Sequence, residues 1–261
     1  MAHALTISQK HLKDICKLTQ KKYRLREGKY IIEGLRLCEE ALSADVRIEE
    51  FIVSKSALEA PAVQKIINRI QKAGIPILMA SDADFADLAD TVTPQGVAGI
   101  VNKKKSVMGN FGTPVLCLDG IKDPGNLGTI LRSADWFGIT TLFTSKTSVE
   151  VHNPKVVRGT MGALFRLTVH EDAEMRRLVP EFKSAGYRII GTVSRGGVAL
   201  QDFAGTSKDV LVIGGETSGL SVGDYPVDVQ VTIPCRGHGD SLNAAVAASI
   251  MMYELVREMN D

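Results

Sequence analysis

Apolar positions along this 261-residue chain fall into two alternating series of short strand-like runs and helical stripes. In the first hundred residues, Tyr30-Ile31-Ile32, Ile48 to Val53, Ile75 to Met79 and Gly96 to Val101 read as strands. Leu35 to Leu42 and Ala62 to Lys72 carry apolar residues at helical spacing, and Gly74, Pro76, Pro94 and Gly96 punctuate the elements. This alternation predicts a small α/β/α layered domain over 1–102. The polar, basic, glycine-containing stretch 103–113 is expected to be a linker. A second α/β series covers 114–261. Its strands are predicted near 115–118, 141–144, 167–169, 187–192, 210–213 and 229–233, and its helices near 127–137, 155–162, 174–184 and 242–259. In the last helix Leu242, Val246, Ile250 and Tyr253 are expected to form the buried stripe. The small residues Ala244, Ala245, Ala247, Ala248 and Ser249 would let another segment or a partner subunit pack closely.

Composition adds bounds. A hydrophobic content of 44% with 23% charged residues fits a globular protein, and 5% aromatics predicts an aliphatic core. The net charge of +1 alone points to no polyanion, though its distribution is less even and by default marks a solvated face. Lys10 to Lys29 holds eight basic against two acidic residues, or +6, which leaves −5 for the rest. Lys10, Lys13, Lys17 and Lys21 step by three and four, so on one continuous helix they would form a positive stripe with Leu12, Ile15 and Cys16 inward. The four cysteines form no C-x-x-C pair, and no histidine stands at zinc-ligand spacing from one. Buried, reduced thiols and no metal are expected. The start lacks a signal-peptide apolar region, and the apolar run Ala244 to Met252 is too short to span a bilayer. A cytoplasmic protein with no membrane contact is expected.

Three blocks, each just after a predicted strand, carry candidate chemistry. The first is Asp123-Pro124-Gly125-Asn126-Leu127-Gly128-Thr129-Ile130-Leu131-Arg132. Pro124-Gly125 makes a turn, Asn126 is expected to cap the helix, and Arg132 lies off its apolar stripe. The second runs from Gly214-Gly215-Glu216 to Gly219, and the third from Ile233-Pro234 to Ser241-Leu242-Asn243, with Asp240 or Ser241 expected to cap the final helix. Ligands of open α/β sheets gather at the carboxyl ends of strands, so three such loops predict one shared crevice. The glycine spacing of the second block, G-G-x-x-x-G, departs from the dinucleotide fingerprint, and Glu216 would repel a pyrophosphate. That disfavours a nucleotide-dependent oxidoreductase and suits a ligand without phosphates.

In order and approximate spacing, these blocks resemble the signature motifs of the SpoU/TrmH group of RNA ribose 2′-O-methyltransferases, in the SPOUT superfamily. Asp123, Pro124, Asn126, Gly128 and Arg132 match the first motif; Gly214, Glu216 and Gly219 the second; and Ile233, Pro234, Gly237, Ser241, Leu242 and Asn243 the third. The segment Arg158 to Phe165 resembles the family's stretch between the first two motifs, with Gly159-Thr160 a mild departure. Glu33 to Leu42 resembles the start of its ribosomal-protein-like RNA-binding extension. The resemblance implies a C-terminal trefoil-knotted, parallel-sheet methyltransferase domain, a smaller N-terminal RNA-binding domain and a homodimer with sites near the interface. It implies S-adenosylmethionine as cofactor, held by Thr192, Gly214, Gly215, Gly219, Ile233 and Leu242. Arg132, Asn126, Glu216, Ser241 and Asn243 would be catalytic, and Lys10, Lys13, Lys17, Lys21 and Arg24 would contact RNA. By family analogy ribosomal RNA is expected over transfer RNA. A silent RNA-binding protein of the same fold is the rival, and the intact polar set argues against it.

The family account makes Arg132 the base that deprotonates the ribose hydroxyl. A guanidinium stays protonated up to a pKa above roughly 12, so a second role stands beside it. There Arg132 grips the adjacent phosphate and stabilises the alkoxide, while phosphate or water takes the proton. For Trp136, the single tryptophan, burial within its own domain and dimer contact are weighed equally, with base stacking third. His238, in the third block, is expected to be a loop histidine without a role.

Overall fold

The computed structural model describes residues 5–104, 109, 111, 114–215, 225–257 and 259. The chain divides into two compact units, 1–105 with 152–166, and 106–151 with 167–261.

In the first unit, strands β1 (Leu5–Thr6), β2 (Lys29–Glu33), β3 (Ile48–Ser54), β4 (Ile77–Ala80) and β5 (Val97–Asn102) form one sheet in the order β1-β4-β3-β5-β2. β4 runs parallel to β1 and β3, whereas β5 is antiparallel to β2 and β3. The helices are α1 (Gln9–Cys16), α2 (Lys21–Glu27), α3 (Leu35–Ser43), α4 (Pro61–Lys72) and α5 (Asp82–Leu88). Alternation sorts the sheet faces. Ile31, Ile52, Ala98 and Ile100 pack with Leu12 and Ile15 of α1 and with Phe85 and Leu88 of α5. Ile32, Phe51 and Val53 take the opposite parity. Gly99 shares that face: a Cβ there would sit 2.9 Å from the Phe51 ring and 3.2 Å from Ile32. α4 buries Val63, Ile66, Ile67 and Ile70, the i, i+3, i+4, i+7 stripe read from sequence, each worth about 1.5–3 kcal/mol.

The predicted basic stripe is broken. α1 gives way to a single 3₁₀ turn at Lys17–Thr19, Gln20 is extended (φ −99°, ψ 132°), and α2 starts anew. Lys21 therefore stands on a different helix from Lys10 and Lys13. Arg24, expected among the RNA contacts, is buried, and its Nη1 donates to the carbonyls of Leu18 (2.8 Å) and Thr19 (2.7 Å). It closes the turn between the helices and does not serve as a surface cation.

In the second unit, seven strands run parallel throughout: β6 (Val115–Asp119), β7 (Thr141–Ser145), β8 (Thr168–Ala173), β9 (Arg188–Thr192), β10 (Val198–Ala199), β11 (Asp209–Gly214) and β12 (Val229–Thr232). Their order is β10-β12-β9-β11-β6-β7-β8. The chain moves outward through β7 and β8, crosses to β9, and later lays β11 between β9 and β6. α6 (Pro124–Trp136), α8 (Met175–Ser184) and α9 (Ala244–Val256) belong to this unit, and α7 (Pro154–Thr160) to the first. Val115, Cys117, Val210 and Val212 pack with Phe143, Val179 and Phe182 in one core cluster.

α9 reverses the expected burial. Ala244, Ala245, Ala248, Met251, Met252 and Leu255 are buried, while Val246 (48%), Ile250 (37%) and Tyr253 (53%) are exposed. The helix is apolar all round, so its period cannot select a face, and the small alanine side packs closest. Trp136 is 84% exposed, which overturns burial within its own domain. Of the thiols expected to be buried, Cys38 and Cys117 are; Cys16 is half-buried, and Cys235, in the loop after β12, is exposed. No described helix is long and apolar enough to cross a membrane.

Candidate active site

The first block folds as a strand, a turn and a capped helix, but the cap is Asp123. Its Oδ1 accepts from the Asn126 backbone N–H at 2.8 Å, and Pro124 follows in the first turn, where no donor is needed. Asn126, expected to be the cap, therefore does not cap the helix with its side chain. Its Oδ1 accepts from Asn243 Nδ2 at 2.9 Å, which joins the first block to the third.

Asn243 in turn caps α9, the role expected of Asp240 or Ser241. Its Oδ1 accepts from the backbone N–H groups of Ala245 (2.9 Å) and Val246 (3.2 Å). Those donors fix the amide: the oxygen faces the helix, the nitrogen faces outward, and Asn126 must answer with its oxygen. One side-chain pair thus ties the N-termini of α6 and α9 together.

Sheet order brings the carboxyl ends of β6, β11, β9 and β12 side by side. Gly214 pairs with Asp119 at the tip of β6. A Cβ on Gly215 would lie 2.2 Å from the Gly120 carbonyl oxygen, so close approach of the two strand ends demands glycine there. Thr192, at the end of β9, donates its hydroxyl to the Val212 carbonyl at 3.3 Å. Thr232, at the end of β12, donates to the Ser194 carbonyl at 3.2 Å. Ile233 follows, half-buried, and Ser241 and Leu242 are exposed just before α9. Glu216 and Gly219 lie outside the described residues. The loop after β9, Val193 to Gly197, is a part of this edge that motif reading passed over. Its signal was Gly196-Gly197 following a strand, and a Cβ on Gly197 would meet the Gln230 carbonyl oxygen at 2.5 Å.

Arg132 is exposed and makes no hydrogen bond or ion pair among the described residues. Thr129, Arg132 and Trp136 form the exposed stripe of α6. α6 packs on α9, where Ser249 donates to the Ala245 carbonyl (2.8 Å) and its hydroxyl bonds that of Ser133 (2.8 Å). The Phe137 and Tyr253 rings lie 6.1 Å apart. Arg132 is followed one turn later by exposed Trp136 on α6, and α9 exposes Val246, Ile250 and Tyr253. In the first unit Lys10, Lys13 and Lys21 are exposed, and Lys17 pairs with Asp14 at 2.7 Å. That hydrogen bond holds the Asp14 carboxyl below its ordinary range and the Lys17 ammonium above its own.

Comparison with known proteins covers both units. Residues 113–253 match the model of the SpoU rRNA Methylase family, and residues 9–99 match that of the MRM3-like substrate binding domain. The chain is 30% identical over 249 residues to the 23S rRNA (guanosine(2553)-2′-O)-methyltransferase RlmP of Bacillus subtilis (strain 168), with 94% of this chain and 95% of that one covered. It is 29% identical over 298 residues to the mitochondrial rRNA methyltransferase 3 of Homo sapiens, covering 91% of this chain and 69% of that one. The crystal structure of AdoMet-bound rRNA methyltransferase from Sinorhizobium meliloti matches with a TM-score of 0.84 and 28% identity, covering 99% of this chain and 98% of that one. The resemblance first read in three short motifs extends over nearly the whole chain, which belongs to the SpoU rRNA methylase family.

Proposed function

We propose that this protein transfers a methyl group from S-adenosylmethionine to a ribose 2′-hydroxyl of ribosomal RNA, working in the cytoplasm as a homodimer. The observation that carries the reading is the Asn243–Asn126 hydrogen bond, which joins the first and third motifs across 117 positions of sequence. The edge formed by β9, β11 and β12 fits the cofactor. Half-buried Gly214 keeps backbone within reach of a ligand, Gly215 lets the β11 and β6 ends close on each other, Ile233 and the half-exposed Leu242 offer apolar walls for a flat base, and neutral carbonyls suit a positive sulfur. Gly219 and Thr192 complete the proposed set. When bound, the cofactor supplies the electrophilic methyl group.

The chain's own part is to hold and orient the ribose. Arg132, charged and exposed, grips the phosphate beside the target ribose and stabilises the developing alkoxide, while phosphate or water accepts the proton. Asn126, pinned by Asn243, orients the sugar, and Glu216 and Ser241 position the nucleotide. A partner seated on the exposed apolar side chains of α6 and α9 would lie beside Arg132, so each proposed site would stand at the dimer contact. Lys10, Lys13, Lys17 and Lys21 of the first unit contact the RNA.

Incubation with labelled S-adenosylmethionine and unmodified ribosomal or transfer RNA, followed by mapping of the methylated ribose, tests the reading. Arg132→Ala should abolish transfer yet bind the cofactor normally by calorimetry. Near-normal turnover by that variant would remove Arg132 from the site.

A further inference from the structure

In the first unit, three cations surround one aromatic ring. Tyr23 lies on α2, and Arg26, one turn later, sets its Cζ 4.8 Å from the ring centroid. Lys17 Nζ and Lys22 Nζ each stand 6.0 Å from it. The break at Gln20 builds this cluster, because it folds the 3₁₀ turn carrying Lys17 back toward α2. Buried Arg24 then holds the turn through the Leu18 and Thr19 carbonyls. The platform is therefore assembled before any ligand arrives. The ring is half-buried, and neighbouring Leu25 is 53% exposed.

The charges do not balance. Among the described residues, only Lys17 and Arg26 of the cations Lys17, Lys21, Lys22 and Arg26 form ion pairs, with Asp14 and Glu27, in surface pairs of 2.7 and 2.8 Å that solvent weakens. Converging cations repel one another, and a phosphate backbone relieves that repulsion. A half-open ring among them offers what an unpaired base needs and a duplex cannot use.

We propose that Tyr23 is a stacking platform for an unpaired base of single-stranded RNA, with the Arg26 guanidinium layered on the ring and Lys17 and Lys22 holding the flanking phosphates. The proposal rests on the reading of RNA as substrate and adds the part of it that this unit grips.

The test uses the full chain, a labelled 12-nucleotide oligouridylate and an RNA duplex of equal length, with binding read by fluorescence anisotropy. Tyr23→Leu should weaken single-strand binding about 5- to 150-fold, leave the salt slope unchanged and barely alter duplex binding. Tyr23→Phe should bind as the wild type does. Lys22→Gln should lower the slope of log K against log salt by about 0.7, a reading that stands even if Tyr23→Leu misfolds. Wild-type single-strand affinity in a folded Tyr23→Leu variant, equal losses on both RNAs, or an unchanged slope in Lys22→Gln would overturn the platform. Methyl transfer by the wild type is scored separately. A chain that stacks RNA but methylates none refutes the reaction and keeps the platform, whereas methylation with an inert Tyr23 does the reverse.

Discussion

Replacing Asn243 by alanine or by aspartate separates its two jobs. Alanine removes both. Loss of the α9 cap costs about 0.5–2 kcal/mol, and loss of the bond to Asn126 about 0.5–1.5 kcal/mol. At about 2–4 °C per kcal/mol for a domain of this size, a combined loss of about 1–3.5 kcal/mol lowers the unfolding transition by roughly 2–14 °C. Aspartate keeps the cap, since it accepts from the same two N–H groups, and its charge at a helix N-terminus adds about 0.3–1 kcal/mol. A carboxylate cannot donate to Asn126 Oδ1, however. Two acceptor oxygens would then face each other, and the bond that positions Asn126 would be lost. Asn243→Asp should therefore unfold within about 1 kcal/mol of the wild type while methyl transfer falls sharply. Asn126→Asp is the mirror case, because it still accepts from Asn243 and keeps the link. Calorimetric unfolding, amide exchange at Ala245 and Val246, and transfer from labelled S-adenosylmethionine read the three variants. An Asn243→Asp protein as unstable as Asn243→Ala would refute the capping role. Full activity in Asn243→Asp would refute the positioning role.

Two further outcomes follow from packing. Trp136→Glu puts a charge among the exposed apolar side chains of α6 and α9 and should convert a dimer to monomers in sedimentation; a wild-type protein that is monomeric at micromolar concentration removes the dimer. His170 stacks on Phe143 (centroids 4.4 Å, planes 9° apart), its buried Nε2 has no hydrogen-bond partner among the described residues, and burial lowers its basicity. Below the ordinary imidazole value near pH 6.5 the unfolded chain takes up a proton that the folded one refuses, so stability falls as pH drops through the window beneath that value. His170→Phe should flatten this pH dependence in urea unfolding; identical pH profiles for variant and wild type would contradict the argument.

Where structure departs from sequence reading, the local signal was degenerate. Lys and Gln are good helix formers, so nothing near Gln20 announces the break between α1 and α2. Arg24 reads as one more surface cation until its carbonyl partners are seen. The first block reads with Asn126 as its cap where Asp123 serves, and the third with Asp240 or Ser241 where Asn243 serves. Any of these side chains can cap, and which one does depends on where the chain enters the helix. In α9 nearly every position is apolar, so the face was set by its closest neighbour. By contrast, α4 and the central strands each have one apolar solution, and their reading held.

Sequence alone determined the two α/β series and the strand–loop–helix form of the first and third motifs, because periods of 2.0 and 3.6 residues and turn chemistry are local properties, and the resemblance of the three motifs pointed to an RNA methyltransferase. Tertiary structure decided the strand order that sets β6, β11, β9 and β12 side by side, the Asn126–Asn243 link and the exposed apolar side chains of α6 and α9. Those features join residues as much as 117 positions apart, and only the packing of whole elements determines which distant side chains meet.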